Sequence, residues 1–185
     1  TLKDEEIKSL QDKITELQSS GMSKMIIDLR DNPGGVLDEA CNMADMILPE
    51  GIITYTETKS GKRTDYNSDA ESLDIPIVIL INENSASASE VFTGALKDYG
   101  KATVVGKKSY GKGIVQSVLP FYDGSGMSLT VAKYYTPNGT CIHGIGIEPD
   151  VEVDMPDEYK DMYASMVEHD KDTQLQKAIE IIKEK

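Results

Sequence analysis

Ile7, Leu10, Ile14 and Leu17 recur at three- and four-residue spacing among charged residues, which predicts an amphipathic helix over 3–20, ended at Ser20-Gly21. Met25 to Leu29 is a short apolar strand that runs into the loop signal Arg30-Asp31-Asn32-Pro33-Gly34-Gly35. A second helix follows, with Val36, Leu37, Ala40, Met43, Ala44 and Ile47 on one face. Residues 52–58 alternate as a strand, Ser60-Gly61 turns, and 62–67 completes a hairpin. Residues 75–81 are nearly all apolar, the mark of a strand covered on both faces. A third helix starts near Ser87 and reaches about Tyr99, where Gly100 caps it, and a strand from Ala102 to Val105 follows. Lys107–Gly113 is a loop rich in Gly and Lys, strands are expected over 114–120 and 128–135, and 171–184 is again an amphipathic helix. The alternation predicts an α/β fold, with helices covering at least one face of a mixed sheet.

The 185 residues suit one domain, with or without an appended element. Against 19 Lys and Arg stand 32 Asp and Glu, a formal charge of −13. Such a surface repels phosphate backbones and argues against a nucleic-acid partner. No apolar run approaches the length of a membrane span. No signal segment opens the chain, which starts within an amphipathic stretch as a piece of a longer exported protein would. The two cysteines, Cys41 and Cys141, are too few for a disulfide framework or a structural zinc site, and Cys41 falls at a core position of the second helix. No clustered His, Cys and carboxylate set is present to hold a catalytic metal, and no cofactor site stands out.

Three segments carry possible chemistry. Asn84-Ser85-Ala86-Ser87-Ala88-Ser89-Glu90 lies between a buried strand and a helix, where free N–H groups stabilise negative charge and small neighbours admit a substrate backbone. Ser87-x-x-Glu90 is equally a capping box, and a Gly-x-Ser-x-Gly elbow is absent. A serine nucleophile needs a base. His143 and His169 are not excluded by geometry, but a lysine is better placed. About eleven helical residues advance roughly 16 Å, and about five strand residues return a similar length. The chain therefore comes back beside the helix start at 106–113, which holds Lys107, Lys108 and Lys112. Lys112 lies between Gly111 and Gly113; burial there would lower its pKa toward a general base, whereas the alternative is an ordinary solvated lysine. Gly34-Gly35, between a strand and a helix, either aims N–H groups at an oxyanion or makes a tight connection.

Together these segments resemble the C-terminal processing (tail-specific) proteases. The resemblance rests on Asp28–Gly35, on Ser85–Glu90 with Gly94-Ala95-Leu96, and on Ser109-Tyr110-Gly111-Lys112-Gly113 with Gln116. Tyr134-Tyr135-Thr136-Pro137 and Gly146-Ile147-Glu148-Pro149-Asp150 extend it, so that 22–150 is well covered. It implies Ser87 as nucleophile, Lys112 as general base and Gln116 as the residue that orients the lysine. It implies an oxyanion hole from Gly34 or Gly35 and Ala88, with Arg30, Glu90 and Ser109 in support. The implied fold is a crotonase-like spiral of strand–strand–helix units, with 1–170 as the catalytic core and 171–185 as a C-terminal helix. Implied substrates are proteins or peptides with unstructured C-termini, in an extracytoplasmic compartment. The PDZ domain expected before this core, and the strand expected before the first helix, are missing, and Cys141 replaces a polar residue. The missing strand is expected to expose a sheet edge through which a homodimer could pair, and the missing neighbour to leave loop 107–113 displaced or partly ordered.

Two other readings compete with peptide hydrolysis: a non-catalytic binding module, and a crotonase-like acyl-CoA enzyme. The intact set Ser87, Lys112 and Gln116 argues against the first, and the lack of a CoA-phosphate site against the second.

Overall fold

The computed structural model describes residues 12–185. Helix α1 covers 12–19; the part of the predicted helix before residue 12 lies outside the described residues. Strand β1 (Met25–Asp28), helix α2 (Leu37–Asp45), and the hairpin of β2 (Gly51–Thr58) and β3 (Arg63–Ser68) follow. Strand β4 (Ile77–Ile81), helix α3 (Ala88–Asp98) and β5 (Ala102–Gly106) form the middle of the chain. A second hairpin of β6 (Ile114–Pro120) and β7 (Gly126–Tyr135), a short β8 (Val151–Glu152) and helix α4 (Thr173–Glu184) complete it. The two-residue β8, too short to show a periodicity, escapes the sequence pattern.

The strands divide into two four-stranded sheets, one parallel in the order β1-β4-β5-β8 and one antiparallel in the order β3-β2-β7-β6. The fold is α/β, with parallel and antiparallel pairing segregated between the sheets.

Every residue of β4 is buried, as its unbroken apolar run predicts. Alternation sends its side chains to two cores. Ile77, Ile79 and Ile81 meet α2 and α3 through Ala40, Ala44, Val91, Phe92 and Leu96. Val78 and Leu80 meet Ala178 and Ile182 of α4 on the other face. Each such Ile or Leu contributes about 1.5–3 kcal/mol relative to exposure. The C-terminal helix thus covers one face of the parallel sheet.

In a parallel sheet all carboxyl ends lie along one edge, where open α/β sheets place ligands. The loops after β1 (29–36), β4 (82–87) and β5 (107–113) leave that edge together.

Candidate active site

Hydrogen bonds lock the first two loops together. Asn32 O accepts from Ala86 N at 3.0 Å and Ser89 Oγ at 3.2 Å, and Ser85 Oγ donates to Leu29 O at 2.7 Å. Ser85 and Ser89 are therefore buried, with their hydroxyls donating to backbone. Ser87 stands between them, half-buried, with φ 57° and ψ −117°. An N-cap residue is ordinarily extended, and a non-glycine in this region costs about 1–3 kcal/mol. The packing of its neighbours fixes Ser87 in that conformation at the mouth of α3.

Glu90, fully buried, organises the rest. Its Oε2 accepts the N–H of Ser87 and that of Lys112, both at 2.8 Å, and its Oε1 accepts Ser109 Oγ and Gly111 N, both at 2.6 Å. The carboxylate half of the expected capping box is present, and the same carboxylate grips the lysine loop. Ser109 Oγ also accepts Ile147 N at 2.7 Å, and Tyr110 N donates to Ser85 O at 3.0 Å. Loop 107–113 is thus anchored on both sides. The shortage of contacts behind the expectation of a displaced or partly ordered loop is not found, because Glu90 reaches across to it.

Lys112 departs from its expected burial. Gly111 and Gly113 are buried, but the Lys112 side chain is exposed. The glycines bury backbone instead: a Cβ on Gly113 would strike the His143 backbone, so this strand entry packs directly on the 142–146 segment and turns the lysine outward. Among the described residues no hydrogen bond joins Lys112 Nζ to Ser87 Oγ. Gln116, on β6 beside a register shift in the β6–β7 pairing, is also exposed. His143 and His169 are exposed.

Gly34, the first of the glycine pair, lies against the nucleophile candidate. A Cβ on Gly34, at φ +93°, would fall 2.5 Å from Ala86 O, 2.8 Å from Ala88 N and 2.9 Å from Ser87 Cβ. Gly34 N donates to Asn32 Oδ1 at 2.9 Å and is occupied. Among the described residues Gly35 N and Ala88 N have no acceptor, which leaves both amides available to an anion. Beside them opens a pocket of about 180 Å³, walled by Leu29, Val36, Ala40, Met43 and Phe92, with Glu39 also on its lining.

Arg30 does not reach Ser87's surroundings. Its buried guanidinium bridges Asp28 (Nη2 to Oδ2, 2.7 Å) and Asp172 at the start of α4 (Nη2 to Oδ2, 2.7 Å), with Gln174 Oε1 at 3.1 Å from Nη1. Burial opposes the charge, but these two carboxylates outweigh it and raise the guanidinium's already high pKa.

Residues 2–153 match the pattern of Peptidase family S41. The chain belongs to that family. It is 49% identical over 152 residues to the probable CtpA-like serine protease of Staphylococcus aureus (strain COL), a match covering 80% of this chain and 30% of that relative. The chain thus spans under a third of the curated relatives it matches. Among solved structures, the photosystem II D1 C-terminal processing protease superposes with a TM-score of 0.75 at 38% identity, over 81% of this chain and 40% of that one. A putative S41 protease from Bacteroides fragilis NCTC 9343 shares the fold at TM-score 0.77 and 20% identity, over 96% of this chain and 49% of that one.

Within this S41 chain, sequence reasoning missed Asp31. At φ 59°, it accepts Asn82 Nδ2 (2.9 Å) and Asn84 Nδ2 (2.8 Å) on Oδ1 and Ala164 N (2.8 Å) on Oδ2. Asp172 was missed as well. The signal available for each was a carboxylate in a loop, which does not reveal partners far along the chain. Among the described residues no group of three His, Cys or carboxylate side chains is arranged to hold a metal, and no helix is long and apolar enough to cross a membrane.

Proposed function

We propose that this chain is the catalytic region of a serine endopeptidase that cuts proteins at or near their C-terminal tails through a Ser87–Lys112 pair. The observation that carries this reading is Ser87 itself. It is the accessible serine of three, held in a strained turn between two unoccupied amides and the anchored lysine loop. The homology to serine proteases agrees with it.

In the proposed reaction Ser87 Oγ bonds to the scissile carbonyl carbon as the Lys112 amine takes its proton. The carbonyl π electrons move to oxygen, where Gly35 N–H and Ala88 N–H hold the charge; one such donor is worth about 2.7–4 kcal/mol in comparable enzymes. Collapse of the tetrahedral adduct breaks the C–N bond, and the Lys112 ammonium returns its proton to the departing amine. Water then hydrolyses the acyl-enzyme with Lys112 as base again. Gln116 orients the lysine. Substrate lying over Ser87 removes water from Lys112 and draws the exposed amine into line, since such contacts tighten in the substrate complex.

The substrates in this reading are extracytoplasmic proteins with unstructured tails, and the name of the D1 C-terminal processing protease is in keeping with cleavage at a C-terminus. Strand β1 is an edge of the parallel sheet among the described residues and offers the place for pairing between two copies.

The test is cleavage of an unstructured protein. Ser87→Ala and Lys112→Ala should each abolish it with circular dichroism unchanged. Ser85→Ala, Ser89→Ala, His143→Ala and His169→Ala should retain activity, and chelators should have no effect. An inactive His143→Ala beside an active Lys112→Ala would sink the assignment of the base. Zinc-reversible loss with EDTA would sink the mechanism. A substrate bound but left whole by the wild type would favour a binding module.

A further inference from the structure

The pocket is lined by Gly35, Ala88 and Ser89, the neighbours of Ser87, and is the cavity nearest at hand for the side chain on the acyl side of the scissile bond when Ser87 is the nucleophile. Its walls are mostly apolar, with Asn32 and Ser89 at the Ser87 side, as for a pocket that accepts an aliphatic side chain. Glu39 is the one charged side chain of that lining. It sits in the first turn of α2 as part of the lining, and its Oε1 is buried with no hydrogen-bond partner. It is the one such side-chain oxygen found among the described residues. A buried acceptor without a donor costs about 1–3 kcal/mol, more when charged. Natural folds rarely leave that uncompensated, and on this half-buried side chain the partner is a water or a donor brought by a ligand.

We propose that Glu39 is a specificity-determining residue of this S41 protease: it selects substrates with a basic, lysine-like side chain immediately before the cleaved bond. This rests on the reading of Ser87 as nucleophile. Lysine meets both features of the pocket, an aliphatic stem for Leu29, Val36, Met43 and Phe92 and a donor-bearing end for the carboxylate. A small side-chain movement of Glu39 turns its unpartnered oxygen toward the bound ammonium. The chain's net charge of −13 acts in the same direction, since it draws cationic peptides toward the surface.

The experiment compares two peptides that differ only at this position, lysine against norleucine, which has the same stem without the ammonium. Both are assayed with wild type, Glu39→Leu and Glu39→Gln. In wild type the lysine peptide should be cleaved with at least tenfold higher kcat/KM. Glu39→Leu should reverse that preference, and Glu39→Gln should fall between, keeping an acceptor without the charge. Equal kcat/KM for the two peptides in wild type, or a preference untouched by Glu39→Leu, overturns the inference while leaving Ser87 in place. Should wild type cleave neither peptide and match Ser87→Ala, the reading of Ser87 fails and the inference with it. Circular dichroism of each variant establishes that the fold is kept.

Discussion

The backbone amides of Ser87 and Lys112 converge on one oxygen, Oε2 of Glu90, each at 2.8 Å. Nucleophile and base candidate are thereby fixed relative to one another by main chain, leaving only the lysine side chain to move. Glu90→Gln tests this. Four donors point at the carboxylate, and an amide offers them one acceptor oxygen and an opposing NH₂. We expect a stability loss of about 1.5–3 kcal/mol, the range for hydrogen bonds to charged groups. Peptidase activity should fall by more than tenfold, mainly in kcat, in the folded fraction. An active Glu90→Gln enzyme of reduced stability would make Glu90 a structural residue only.

Gly34→Ala should separate activity from stability in the other direction. The added methyl would sit 2.9 Å from Ser87 Cβ and 2.8 Å from Ala88 N, at a φ that disfavours any side chain. The loop can escape only by moving away from Ser87 and taking Gly35 N–H with it. Loss of one aligned donor predicts a fall of roughly a hundredfold or more in kcat. The urea midpoint should move far less than for a substitution in β4. Full activity in Gly34→Ala would exclude the neighbouring amide from the reaction.

Asp31 should make the site acid-sensitive. Burial alone would raise its carboxyl, but hydrogen bonds from Asn84, Ala164 N–H and Asn82, with Arg30 nearby, hold it below the ordinary 3.8. A depressed carboxylate contributes stability that is complete above its unfolded pKa and is lost as pH falls through the folded one. Asp31→Asn should therefore cost about 1 kcal/mol at neutral pH, a value reduced by partial exposure. Urea titrations from neutrality downward should show that gap closing only below about pH 4. A gap constant across that range would mean that the carboxylate charge contributes nothing.

Cys41 should be inert in the folded protein. Burial first, and Asp38 second, push its thiol up to about 12, so almost no thiolate forms at about pH 8. Intact-mass measurement after alkylation should find half-buried Cys141 modified and Cys41 spared until denaturant is added. Rapid native labelling of Cys41 would show that α2 opens readily.

Much of this was legible in the sequence because it is local. The all-apolar β4, the turn-bounded hairpins and the helices each follow from a short window, and the length of α3 and β5 brought the 107–113 loop back beside Ser87. The identity of the buried group at Lys112 was not legible. Glycines on both sides signal close backbone packing but not which way the side chain leaves. Glu90 read as a helix-capping residue because its first partner is three residues away, whereas its other partners are 19 to 22 residues on. Asp172 could not be paired with Arg30 from spacing at all, since 142 residues separate them.

That last separation has a consequence for the order of folding. Arg30 is always charged, and without Asp172 it would be left buried with half its partners missing, at a cost of about 3–5 kcal/mol. Contacts between distant parts of a chain form late. The loop that follows Arg30 and carries the Gly35 amide therefore depends on the docking of α4 for its own placement. The site proposed above is therefore complete only once α4 is in place. Chains that end before Asp172, and the variant Asp172→Ala, should cleave no peptide, whereas Asp172→Glu, which keeps the carboxylate, should retain part of the activity.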